Sequence, residues 1–191
     1  MSLLNTWKAQ SAESRQTYTV LLALSVLGVI SHLVPHSAGM STVGAIGMMA
    51  AALLPRHLLP VPVLLSIVAF DLINGTYQIA AMAFVYLAHL AAAWSLTPVL
   101  SPAKKKISLP SFGGAAVLSA VVFYAVSNAT PIALGFYPNT VEGWMACYLA
   151  GLPFLLKGVL ANVIFGGVAF TGIWLARKVA NGDVARLTSS Q

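Results

Sequence analysis

Six apolar runs, at about 18–34, 39–54, 61–73, 79–100, 112–126 and 158–176, take up most of this chain and limit what it can fold into. A hydrocarbon core about 30 Å thick is crossed by roughly 20 apolar residues, and they cross as helix because a helix satisfies its own N–H and C=O groups where no water is present. The third run is short for a crossing and the fourth is long. Charged residues make up only 7% of the 191 residues, against about 25% in soluble domains. The pattern therefore predicts an all-α integral membrane protein built as a six-transmembrane-helix bundle.

Orientation follows from the bases, because loops rich in Lys and Arg near span ends stay cytoplasmic. Lys8 and Arg15 precede the first run, Arg56 separates the second and third, and Lys104, Lys105 and Lys106 separate the fourth and fifth. Arg177, Lys178 and Arg186 follow the last, so nine of the ten basic residues share one side and only Lys157 dissents. Both termini are expected in the cytoplasm: a segment at 1–17, a membrane domain at 18–178 and a tail at 179–191. A seventh span over 141–156 would put Lys157 inside at the cost of exporting Arg177, Lys178 and Arg186. With six spans, 141–156 is instead a short interfacial helix, which Pro153 separates from the final span because proline removes a helix hydrogen bond.

The net charge of +6 is explained by these juxtamembrane bases, so it does not call for nucleic acid. Lys104, Lys105 and Lys106 suit anionic headgroups or a cytoplasmic partner. A cleaved signal peptide is not expected, since a polar stretch containing Glu13 precedes the first run. Cys147 is the single cysteine, which leaves no internal disulfide. There is no Gly-rich phosphate loop and no nucleophile, base and acid set at recognisable spacing, so an enzyme is not expected.

Polar residues are costly within a bilayer and mark seams or cavities. Asp71 stands at the outer end of the third run, followed by Asn74 and Tyr77; it either orders the adjoining turn or contacts a ligand. His89 lies among Ala88, Ala91, Ala92 and Ala93 in the fourth run. It bonds a neighbouring helix or, with room beside it, ligates the metal of a flat tetrapyrrole. His32 and His36 fall on the less basic side. So does the stretch at 127–154, whose Asn128, Tyr137, Asn139, Glu142, Trp144 and Tyr148 read as an outer binding rim. Trp144 and Tyr148, four apart, share a helical face suited to interfacial anchoring. Cys147 is a packing residue or a soft donor toward a metal-bearing ligand. Gly44, Gly47 and Ala51 form a small-residue face for close helix approach, in this chain or against another subunit.

The motif YPNTVEGWMACYLAGLPF (137–154), with STVGAIGMMAAALLP (41–55) and FDLINGTY…FVYLAH (70–89), resembles the substrate-binding S-components of energy-coupling-factor (ECF) vitamin transporters, small bacterial membrane proteins that include solitary cobalamin-type members. The resemblance implies a six-helix bundle in the bacterial cytoplasmic (inner) membrane, an outward-facing ligand pocket and, in many members, an energising partner subunit. The family's acid after the third span corresponds to Asp71, and Tyr137 and Tyr148 match its motif. Cobalamin-type members carry a cobalt-ligating cysteine near the third and fourth spans, and residues 75–86 contain none. Asn162 stands where relatives are usually acidic. Two functions stay open: capture of a small nutrient, a vitamin such as cobalamin or another tetrapyrrole included, or a structural or pigment-associated subunit of a larger photosynthetic or respiratory complex.

Overall fold

A computed structural model describes residues 12–33, 40–102 and 107–180. The described residues form seven α-helices and no strand: α1 (Ala12–Ile30), α2 (Val43–Leu53), α3 (Pro60–Asn74), α4 (Ile79–Ser95), α5 (Leu109–Ser127), the single turn α6 (Thr130–Ala133) and α7 (Val141–Ala180). The three stretches Ser14–Leu33, Leu109–Ala133 and Val141–Ala176 are long and apolar enough to cross a membrane. Helices α2, α3 and α4 are apolar but shorter, with 11, 15 and 17 residues. Large apolar side chains also cover the outside of the bundle: Leu72, Ile79 and Val168 are 74%, 83% and 70% exposed. A surface of that kind matches lipid and not water, and the chain is a membrane protein.

Local sequence sets most helix ends. Leu54 is extended, as the residue before Pro55 must be, and this stops α2. Pro60 starts α3, since its missing N–H is not needed in a first turn. Gly75, at φ +99°, ends α3 in a region that side chains disfavour. Ser108 caps α5 by accepting from the Ser111 N–H at 3.2 Å.

Helix α2 is the axis of the bundle. It touches α1, α3, α4, α5 and α7, and almost every residue from Val43 to Ala52 is buried. Its small side chains let those helices close in: a methyl on Gly47 would sit 3.1 Å from the Ala93 Cβ of α4. The partners of the Gly44 and Gly47 face are thus helices of this same chain. Around α2, α1 packs on α3, α3 on α4, α4 on α5 and α5 on α7. Several hydroxyls of the apolar helices bond back to carbonyls one turn earlier, as Ser25 does to Leu21 O at 2.8 Å. Ser66 Oγ crosses instead to Gly28 O at 3.2 Å, fixing α3 against α1.

The main departure from expectation is α7. Residues 141–156 are not a separate interfacial helix: they run without a break into the final span, with Pro153 inside a helix of 40 residues. At about 1.5 Å per residue α7 is about 60 Å long, twice the hydrocarbon thickness. Proline removes one N–H from the ladder, and the turns on both sides are held by other contacts. Tyr124 Oη donates to Tyr148 O at 2.5 Å on one side, and Asn162 Nδ2 donates to Ala116 O at 3.0 Å on the other. Helix α1 begins at Ala12, inside the stretch expected as an N-terminal segment, and α7 continues to Ala180, past the expected start of the tail. Lys157 lies mid-helix beside Gly158, which faces Ala120 in the middle of α5, so it is not a loop residue. Lys104, Lys105 and Lys106, and the terminal bases Lys8 and Arg186, lie outside the described residues.

Candidate functional site

A cavity of about 700 Å³ opens among the helices. Its walls come from the turn after α1, the start of α2, the second half of α3, the middle of α4, the second half of α5 and the middle of α7. It therefore occupies the end of the bundle opposite Arg56, reaching down to mid-height at Ala120 and Gly158.

Asp71 is the anionic group of the wall. It is 3% exposed and sits in the last turn of α3, with Oδ2 accepting the Tyr86 hydroxyl at 2.7 Å. Among the described residues Oδ1 accepts no hydrogen bond and no cation pairs with the carboxyl. Tyr77, in the α3–α4 loop above it, has its phenol pushed above the ordinary range by burial and then by the charge of Asp71, which keeps it a hydrogen-bond donor.

The two histidines differ. His32 Nε2 lies 3.0 Å from Ser66 Oγ; because the Ser66 proton is committed to Gly28 O, the imidazole is the donor. Its ring meets the Phe70 edge at 5.2 Å. His89 lies on the Phe123 ring at 4.2 Å, and among the described residues nothing hydrogen-bonds it. The described residues contain no group of three His, Cys, Asp or Glu able to hold a metal.

Residues absent from the expected site complete the wall. Asn162 is 4% exposed, donates to Ala116 O and leaves Oδ1 without a partner among the described residues. It lies directly over Gly44, where any Cβ would collide with that oxygen. Ser119 is 2% exposed, and its hydroxyl likewise has no partner among the described residues. Phe70, Phe123 and Phe154 add aromatic surface. The available signal was a lone polar residue within an apolar span, the same signal that singled out His89.

Of the residues expected to bind a ligand, His32, Asp71, Asn74, Tyr77 and Asn128 line the cavity, as does His89. His36 lies outside the described residues. Tyr137, Asn139, Glu142, Trp144, Tyr148 and Cys147 are not in this wall. Tyr148 and Cys147 instead tie α7 to the end of α5, with Asn139 and Trp144 beside them. Trp144 Nε1 donates to Asn139 Oδ1 at 2.8 Å, and its ring stacks on Tyr148 at 6.0 Å. Tyr148 Oη donates to Ala125 O at 2.6 Å, and Cys147 Sγ to Asn128 O at 3.2 Å. Glu142 is exposed in the first turn of α7, where a negative charge suits the helix dipole.

No curated protein and no solved structure matches this chain. Residues 12–184 match the family of unknown function DUF6580, and the chain belongs to that family.

Proposed function

We propose that this protein is a substrate-binding membrane transport protein that captures a small nutrient in the cavity between α1 and α7, as the S-components its motifs resemble do. The observation that carries the reading is the buried Asp71 carboxyl, which lines a cavity of about 700 Å³ with one oxygen unbonded among the described residues. The Asp71 carboxyl holds Tyr86 of α4 through one oxygen only, and its other oxygen and the Ser119 hydroxyl are left, among the described residues, for what enters the cavity. The volume falls within the range of about 300–1,000 Å³ typical of small-molecule sites. It suits a molecule of one to three rings better than a complete corrinoid.

In this reading all six long helices cross the bilayer. The 11 residues of α2 span only about 16 Å, which suffices because its ends meet protein and cavity instead of lipid. Arg15, Arg56 and Lys178 then mark the cytoplasmic end, and the cavity opens outside. The function is binding and passage, with no bond-making step.

The test is to purify the protein in mild detergent, denature it and identify released small molecules by mass spectrometry and absorption. A near-stoichiometric organic molecule that is lost in Asp71→Ala supports capture. An empty protein that co-purifies in fixed ratio with a respiratory or photosynthetic complex overturns it in favour of a scaffold, and a tetrapyrrole band lost in His89→Ala would identify a pigment subunit.

A further inference from the structure

Among its described residues the cavity wall is unbalanced in charge. Its described residues hold a carboxyl but no Lys or Arg, and the most buried carboxyl and amide among them, Asp71 and Asn162, each have an Oδ1 that accepts nothing from the described residues. Both residues are more than nine-tenths buried. Arg56 belongs to the opposite end of the bundle, and Lys157, on the exposed face of α7, has its Nζ over the Phe154 ring at 5.9 Å. Asp71 Oδ1 keeps contact with the cavity space, where a cation would give it a charge-assisted hydrogen bond.

The geometry points to a ligand that brings the missing charge: an organic monocation with a flat apolar body, its positively charged N–H group on Asp71 and its ring beside Phe70 and Phe123. This rests on the capture reading and narrows it to one charge class. Two observations separate this ligand from a metal ion. The described residues include no cluster of three ligating side chains, and the space is many times that of an ion. Aromatic faces beside a carboxylate favour a delocalised cation twice, through the ring quadrupole and through the charged hydrogen bond.

Three probes of one shape and different charge decide it: benzamidinium, neutral benzamide and anionic benzoate, titrated at up to millimolar concentration into the full-length protein in detergent, with binding read by calorimetry. Benzamidinium is expected to bind saturably and at least about tenfold tighter than benzamide, the worth of one charged hydrogen bond, with benzoate weakest. Asp71→Asn should bring benzamidinium down to the level of benzamide, with a melting curve confirming the fold. The wild-type ratio decides the matter even if that variant does not fold. Equal saturable binding of all three, or tightest binding of benzoate, overturns the charge assignment and leaves the cavity as a binding site. Binding of none overturns both.

Discussion

Two polar regions of this apolar chain look alike in sequence and behave in opposite ways. In the clasp at 127–154, Asn128, Asn139, Trp144, Cys147 and Tyr148 bond one another or nearby carbonyls. In the cavity wall, Asp71, Ser119, His89 and Asn162 keep groups that, among the described residues, nothing bonds. A polar side chain in a membrane thus either fastens helices together or faces a ligand, and its partners tell which. The clasp has one exception: Thr130 Oγ1 is buried and has no partner among the described residues.

That contrast can be broken at its seam, where the two regions meet the central helix. Gly44→Val drives a branched side chain into Asn162 and is expected to cost about 3 kcal/mol, as overpacking of a closed core does, read from detergent unfolding curves; a loss below about 1 kcal/mol would mean that Asn162 moves freely. Asp71→Asn should leave unfolding nearly unchanged while lowering occupancy of the co-purified molecule at least about tenfold. If stability falls instead, Asp71 fastens the fold and belongs with the clasp. Tyr148→Phe should do the converse, costing about 1 kcal/mol for a lost interhelical hydrogen bond with occupancy intact. The smallest effect is expected from Thr130→Val, which removes an unpaired hydroxyl at nearly constant volume and should raise stability by up to about 1 kcal/mol. A fall would reveal a hydrogen bond to that hydroxyl.

Helix positions were legible because hydropathy and local breakers act within a few residues: Pro55, Pro60, Gly75 and Ser108 stand at ends that the apolar runs already bracketed. Pro153 misled because its cost is local while the contacts on either side of it, from Tyr124 to Tyr148 and from Asn162 to Ala116, come from a helix distant in sequence. The site was half legible for the same reason. Asp71 and His89 stood out as expensive residues in apolar company. Ser119 and Asn162 are neutral and cheaper in an apolar span, and they carried no neighbouring motif. Tyr137, Asn139, Glu142, Trp144 and Tyr148 were grouped by density in sequence, which says nothing of whether they face a hollow or one another.

The position of α2 constrains how the molecule can be made. Helix α2 leaves the ribosome before α3, α4, α5 and α7 and ends up packed against all four, and its short, alanine- and glycine-rich body has no settled place in lipid until they arrive. Maturation must therefore wait for α7. Nascent forms that end before α7 would expose α2 to quality-control proteases, and loss of α7 should clear the protein from the cell as well as empty its cavity.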